Sequence, residues 1–292
     1  MVNVAIAGGT GVMGKTLADV LARQTAHQGL ILTRKEPGTT KLPLPQFVVD
    51  YNDVASLTSF LEQHEVHAVI SAFGINGTSL AVSQMNLIKA SEASSVTKRF
   101  IPSSFAIDYP RDEKTNLEWA VVNNGTFLDY YAPPTLESHY QHGTVVLDIP
   151  NAAAGIPGTG DEPQTFTYTF DVARFTIAAL DLPSWPRELR IVGDTLTYNE
   201  FVKLAEAARG VKFDVKYDDL QKLRRFEITE LPGHSDDYKK FPKHALLPFL
   251  SIFQRWMAEG HGLVPKEGSL NELFPEIETL TATKLMDQYW RT

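Results

Sequence analysis

The sequence predicts an α/β fold built on a doubly wound parallel sheet, and three observations carry that expectation. Up to about residue 130, short β-branched or apolar runs alternate with stretches of helical periodicity. The strand-like runs are almost continuously apolar, as strands covered on both faces must be. A glycine cluster, Gly8-Gly9-Thr10-Gly11-Val12-Met13-Gly14, follows the first such run and opens the first helix.

The elements follow in order. Residues 2–7 (VNVAIA) read as the first strand, and 13–24 as a helix with Met13, Leu17, Val20 and Leu21 on one face. Residues 30–33 and 47–50 read as the second and third strands. Val54–Gln63 reads as a helix because Leu57, Phe60 and Leu61 recur at three- and four-residue spacing. Residues 67–72 read as the fourth strand, 79–91 as a helix through Val82, Met85 and Ile88, Arg99–Ile101 as the fifth strand and 117–123 as the sixth. Beyond residue 131 the texture changes. Pro133-Pro134, the Gly/Pro-rich stretch 152–163, Pro183 and Pro186 break the chain into shorter pieces. Residues 198–208 read as a helix, 245–257 as an apolar segment, and a terminal helix ends near Trp290. This divides the chain into a domain at 1–131 and a smaller lobe at 132–292 that caps the carboxyl ends of the strands, with segments returning to the first domain.

The 292 residues are 43% hydrophobic and 21% charged, a globular balance rather than that of a disordered chain. No apolar run reaches the roughly 18 residues that a spanning helix needs. The opening MVNVAIAGG has neither the basic nor the apolar region of a secretion signal. With no cysteine, disulfides, thiolate metal sites and a cysteine nucleophile are excluded. The net charge of −8 is not offset by any basic block, so the phosphate-neutralising contribution to nucleic-acid binding is missing. These features point to a cytoplasmic protein, monomeric or a homodimer, that acts on a small molecule, with neither nucleic acid nor membrane as a partner.

The glycine cluster is the strongest chemical signal. Gly8 allows the tight turn from strand to helix, Gly11 lets backbone approach a pyrophosphate, and Gly14 permits close packing of helix on sheet. The amides around Thr10, Val12 and Met13 then meet the anion at the helix N-terminus. The alternative is an ordinary glycine turn. An NAD-selective site carries an Asp or Glu at the end of the second strand. Here that strand ends in Arg34-Lys35, whose charges suit a 2′-phosphate, with the guanidinium plane available to adenine. The expected cofactor is therefore NADP(H), and the alternative for the pair is a solvated strand end. Asp50, closing strand three, and Ala72-Phe73-Gly74, closing strand four, lie where adenine and ribose pass in such folds.

With the glycine loop, Arg34 and the run Lys98-Arg99-Phe100-Ile101-Pro102-Ser103-Ser104-Phe105 in view, the sequence resembles the NmrA-like, isoflavone-reductase-type oxidoreductases, the fungal branch in particular. Leu117-Glu118-Trp119, the run NGTFLDYY from Asn124 to Tyr131, and Phe170-Asp171-Val172-Ala173-Arg174 extend the likeness to about residue 210. The resemblance implies a Rossmann-type domain, bound NADPH, and reduction of enones, ether-linked phenylpropanoids or imines in secondary metabolism. Other members of the family bind the nucleotide as redox sensors. The resemblance also places Asn124 and Phe127 beside the nicotinamide, and a catalytic lysine on a helix between strands five and six. Two departures stand out. The family's PSEFG is Pro102-Ser103-Ser104-Phe105-Ala106 here. Only 106–116 (AIDYPRDEKTN) separates Phe105 from Leu117, so the expected helix is shortened or absent, and Lys114 is its one lysine.

Hydride transfer belongs to the cofactor, while the protein orients the substrate and supplies or takes a proton. No Tyr is followed four residues later by Lys, so a Tyr-xxx-Lys relay has no support. The catalytic candidates are Lys114, Ser103 and Tyr109, with Ser104, Asp108 and Tyr130 also near the expected nicotinamide position. Each has a plainer reading: Lys114 in a charged surface run, Tyr109-Pro110 as a turn, Tyr130 as core. His64/His67 and His139/His142 share i, i+3 spacing but find no third ligand, so no metal is expected. Asp171 reads as the N-cap of the helix after it. Leu246, Leu247, Phe249, Leu250, Phe253, Trp256 and Met257 read as packed core, with a substrate lid or subunit contact as alternatives. The expected function is an NADPH-dependent reductase of a small, largely apolar metabolite (an enone, imine or aromatic). The alternatives are an NADP(H)-sensing regulator and a non-redox enzyme that keeps NADP as a structural cofactor.

Overall fold

The computed structural model describes every residue except 37–40, 75–78, 106–114, 141–142 and 292. Strands β1 (Asn3–Ala7), β2 (Gln28–Thr33), β3 (Gln46–Val48), β4 (Val66–Ser71), β5 (Arg99–Ile101) and β6 (Glu118–Trp119) form one parallel sheet in the order β3-β2-β1-β4-β5-β6. The order reverses between β1 and β4, whose carboxyl ends therefore flank a switch point. Helix α1 (Val12–Gln24) connects β1 to β2, and α3 (Met85–Ala93) connects β4 to β5. Right-handed crossovers leaving the centre in opposite directions put these helices on opposite faces of the sheet. Helix α2 (Val54–Gln63), N-capped by the Asp53 carboxylate on Ser56 N at 2.9 Å, packs beside α3. This is the doubly wound α/β fold that the alternation predicts. Val4, Ala5, Ile6 and Ala7 are fully buried, as are Ile31, Leu32, Val69 and Ile70 beside them, so the strands need no polar alternation.

The remaining strands are short: β7 (Val121–Asn123), β8 (Thr126–Phe127), β9 (Leu147–Asp148), β10 (Ala153–Pro157), β11 (Gln164–Thr167), β12 (Glu188–Arg190), β13 (Asp194–Leu196) and β14 (Asp214–Asp218). They make small sheets, β7-β12, β8-β11-β13 and β9-β10-β14. Among the later helices are α4 (Thr169–Ala178), α5 (Tyr198–Arg209), α6 (Leu220–Arg224), α7 (His234–Asp237) and α8 (Lys243–Ala258). By contacts the chain forms two compact units. One comprises Met1–Asn123, Val172–Ile191 and Gly268–Ile277, and the other Asn124–Asp171, Val192–Glu267 and Glu278–Thr292. This division follows packing, whereas the one drawn at residue 131 follows the change in proline content.

In the first unit Arg99 fastens the sheet edge: its guanidinium donates to Glu118 at 2.6 Å and to the carbonyls of Leu180 and Leu182, each at 2.8 Å. In the second unit Tyr131, Phe166, Tyr198 and Phe201 pack edge-on with ring centroids 4.9 to 5.9 Å apart. Helix α5 begins with a reciprocal Thr197–Glu200 capping box.

His234 of α7 is fully buried, and both ring nitrogens are used. Leu231 N–H donates to Nδ1 at 3.1 Å, so the proton sits on Nε2, 3.1 Å from Thr144 O. Asp237 accepts from Thr144 N at 2.9 Å, and Asp148 from Gly233 N at 2.6 Å. Burial holds the His234 pKa below its ordinary 6.5, against the pull of the Thr144 carbonyl and the Asp237, Glu230 and Asp148 charges. Protonation would set Nδ1–H against Leu231 N–H, donor against donor. Because the folded-state pKa is the lower one, the unfolded chain takes the proton first. The stabilisation is full above the unfolded value and is lost as pH falls below it. From this group the protein is expected to lose up to about 1.4 kcal/mol per pH unit in that window. Urea unfolding of wild type and His234→Gln at about pH 7.5 and about pH 5.5 checks it, because the variant should lack this slope. Parallel pH profiles would remove the assignment.

Some elements differ from the sequence reading. Residues 117–123 are not one strand: Ala120 N still bonds Phe100 O at 3.3 Å, but Val121 N bonds Arg187 O at 3.0 Å. The cause is Pro102, which has no N–H and ends β5, so β7 finds β12 instead. Residues 79–91 begin as a π-helical turn, Ser79–Gln84, before α3. The wider turn rotates the buried stripe onto Ser83, Gln84, Leu87 and Ala90 and leaves Val82 outside. The third strand stops at Val48, and Asp50 lies in a turn beyond it. Asp171 is not an N-cap but lies within α4. Its carboxylate accepts from Leu280 N at 2.7 Å, while the amide of Thr169, the first residue of the helix, donates to buried Asp129 at 2.8 Å. In the α8 stripe Leu250 and Met257 are buried and Leu246 and Leu247 pack half-buried against the same core, while Phe249 is 41% exposed.

Candidate functional site

β1 ends at Ala7 and the chain turns at Gly8, whose φ of +76° strains any side chain. A Cβ on Gly8 would lie 2.6 Å from Ala72 O at the end of β4, and one on Gly14 would lie 2.3 Å from Gly8 O. Loop, strand and helix therefore close on one another with no room for a side chain between them. Gly11 N donates to Gly8 O at 2.9 Å, and α1 starts with neither a side-chain cap nor an acidic residue in its first turn. Its first amides and the positive end of its dipole thus have no side-chain partner. Thr10 and Gly11 are exposed there, Val12 is half-buried, and Met13 and Gly14 are buried. This end can hold an anion.

Arg34 and Lys35 follow β2 and are exposed. Arg34 lines a cavity of about 420 Å³ whose walls include Val48, Asp50, Tyr51, Asn52, Val82 and Ser83. That volume is in the range of small-ligand sites. Val48 and Val82 present apolar side chains to it, 45% and 39% exposed. Asp50 accepts from Asn52 N at 2.9 Å and from Asn52 Nδ2 at 3.0 Å, which fixes the turn. Burial pushes the Tyr51 phenol well above its usual range, against the lowering effect of the Arg34 charge. Tyr51 therefore stays a neutral donor to Leu32 O at 3.3 Å, its ring edge-on to Phe73 at 5.0 Å.

At the carboxyl end of β4, Ala72 and Phe73 are buried, and Gly74 is exposed with no neighbour within 4 Å of a Cβ position. Ser103, after β5, donates its hydroxyl proton to Phe73 O at 2.7 Å. Its oxygen retains lone pairs to accept a bond, but its proton is committed. Ser103 N donates to Gln84 Oε1 at 2.7 Å, and Ser71 Oγ donates to the same oxygen at 2.8 Å. Gln84 escaped the sequence reading as a polar residue inside a helix. The available signal was its register with Leu87 and Ser91, which share its buried side.

Lys114, Tyr109 and Asp108 lie outside the described residues, as does His142. Asn124 and Phe127 belong to the other unit. Asn124 is buried, with Nδ2 donating to Gly125 O at 3.0 Å and Oδ1 without a protein partner. Phe127 packs on Tyr140 at 5.0 Å and Tyr130 at 6.2 Å. The structure thus gathers the glycine loop, Arg34, Asp50, Phe73 and Ser103 in one unit, and Asn124 and Phe127 in the second. His64 closes α2 and His67 lies in β4, so their spacing does not put them on one helical face. Among the described residues no group of three or more His, Asp or Glu could hold a metal ion, and no helix is long and apolar enough to cross a membrane.

Oxidoreductase BOA1 of Botryotinia fuckeliana (strain B05.10) is 33% identical to this chain, over 95% of the chain and 96% of the relative. Oxidoreductase swnN of Metarhizium robertsii is 28% identical over 99% and 98%. Among solved structures, the binary complex of leucoanthocyanidin reductase with NADPH from Vitis vinifera has a TM-score of 0.73 at 18% identity, covering 98% of this chain and 99% of that one. The NmrA-like family matches residues 2–261, and with the glycine loop, the strand order and the full-length relatives in agreement, the chain belongs to the NmrA-like family.

Proposed function

We propose that the protein is an NADP(H)-dependent reductase of a small, largely apolar metabolite such as an enone, imine or aromatic compound. One observation carries the reading: an uncapped helix N-terminus at the switch point of a parallel sheet, with exposed Arg34 at the end of the neighbouring strand, on a cavity. The residues fit the group. Gly8, Gly11 and Gly14 leave the amides of Thr10, Val12 and Met13 open to a pyrophosphate, and Arg34 and Lys35 supply cations for a 2′-phosphate. Asp50 and the apolar faces of Val48 and Val82 suit adenosine, while Ala72, Phe73 and Gly74 border its path. Two relatives are named oxidoreductases and the structural neighbour holds NADPH, which supports the same reading. When bound, the cofactor supplies hydride to the substrate. The chain's own part is to hold and orient both molecules and to deliver a proton. Ser103, Tyr109 and Lys114 are the proposed polar groups for that task, with Asn124 and Phe127 beside the nicotinamide.

Titration with NADPH and NADH, followed by nucleotide fluorescence and tryptophan quenching, tests the reading. NADPH is expected to bind at least about tenfold tighter than NADH, since one charge-assisted contact to a phosphate is worth that much. Oxidation of bound NADPH by enones or imines then separates a reductase from a sensor. Binding of neither nucleotide would end the proposal.

A further inference from the structure

We infer that Gln84 is a positioning residue for the nicotinamide half of the cofactor, an inference that rests on the NADP(H) reading. The residue is 6% exposed, and the single oxygen of its side chain, Oε1, accepts from both Ser71 Oγ (2.8 Å) and Ser103 N (2.7 Å). The hydrogen-bond ladder between β4 and β5 stops at the Ile70–Ile101 pair. The residue that follows β5 is Pro102, which has no N–H to continue the ladder. Ser71 and Ser103 therefore lie just where the strands stop pairing, and one amide oxygen bridges them.

Ser103 passes the tie on. Its hydroxyl donates to Phe73 O at 2.7 Å, and Phe73 adjoins Ala72, whose carbonyl occupies the place of a Gly8 side chain. Contacts run without a break from Gln84 through Ser103, Phe73 and Ala72 to the glycine loop. The π-helical turn sets this up: Val82 and Ser83 line the Arg34 cavity, and the next residue turns inward to the strand ends. An apolar residue would fill the site at less desolvation cost. What glutamine adds is an acceptor with two lone pairs between two donors, fixing the backbone at the mouth of the switch point.

The test compares wild type, Gln84→Met and Gln84→Glu, titrated with NADPH and with 2′,5′-ADP, which lacks the nicotinamide half. Met fills the space but accepts neither bond, whereas Glu accepts both. Orphaning two donors is expected to weaken NADPH binding by about tenfold in Gln84→Met, with 2′,5′-ADP changed by less than about twofold and Gln84→Glu within about threefold of wild type. The emission of bound NADPH should shift in Gln84→Met and return in Gln84→Glu. A role in folding alone would lower Tm and leave both affinities intact well below melting, which overturns the inference. Equal losses for both ligands, or no recovery by Glu, overturn it as well. If Gln84→Met does not fold, Ser71→Ala removes one of the two donors to Oε1 and should show the same selective loss, smaller in size. Wild type that binds neither ligand fails the NADP(H) reading itself. Wild type that binds both, with unchanged NADPH affinity in the variants, fails only the role of Gln84.

Discussion

Arg34→Glu is expected to weaken NADPH binding by about a hundredfold, near 3 kcal/mol, while NADH binding holds or improves. A guanidinium meets a phosphate through charge-assisted bonds, often in pairs, and the dianionic 2′-phosphate would instead face a carboxylate in the variant. NADH has only a hydroxyl at that position, and the new carboxylate can accept from it, as an acidic residue does at the same strand end in NAD-selective sites. Lys35 keeps a residual attraction, and exposure of the site lets salt screen it, so the contrast is largest at low ionic strength. Fluorescence titration of both nucleotides reads the switch directly. An equal loss for NADPH and NADH would show that Arg34 shapes the cavity rather than reading the phosphate.

Gly14→Ala has the largest expected effect on folding. Inside a helix this exchange ordinarily stabilises by up to about 1 kcal/mol, because alanine is the better helix former. Here the added Cβ would meet Gly8 O at 2.3 Å and Gly9 Cα at 2.6 Å, both backbone atoms with no flexible end to swing aside. Helix α1 must then lift off the loop, and the sign reverses: a loss of about 2–3 kcal/mol is expected. Urea denaturation measures it, and the NADPH titration should fall with it, since the loop amides move with the helix. A variant as stable as wild type would mean that loop and helix slide past one another freely.

The parallel sheet was legible because both of its signals are local. Apolar runs such as 2–7 and helical spacing such as Leu57, Phe60 and Leu61 need no knowledge of distant residues. The glycine loop was legible for the same reason. What escaped was set by partners far along the chain. Nothing near Asp171 tells that Asp129 already meets the amide of Thr169, or that Leu280 will claim the Asp171 carboxylate. Nothing within 117–123 tells that its second half will pair with Glu188–Arg190. Gln84 was missed because the spacing of Val82, Met85 and Ile88 points to a different helix face, whereas after the π-helical turn the buried side runs through Gln84, Leu87 and Ser91. The place of Arg34 at a strand end is legible in the sequence, but the cavity beside it depends on Val48 and Val82, which no periodicity brings together.

The first unit is threaded from three separate stretches, the last being Gly268–Ile277. A ribosome making this chain therefore releases nearly all of it before that unit has every piece. The early sheet strands must wait, with Arg99 lacking the carbonyls of Leu180 and Leu182 until those residues emerge. Domains made of one continuous stretch escape this delay, because each can close while the next is being synthesised. Here the two units mature together. A premature stop between Val192 and Ile277 takes residues from both at once, so a chain truncated there carries neither unit whole.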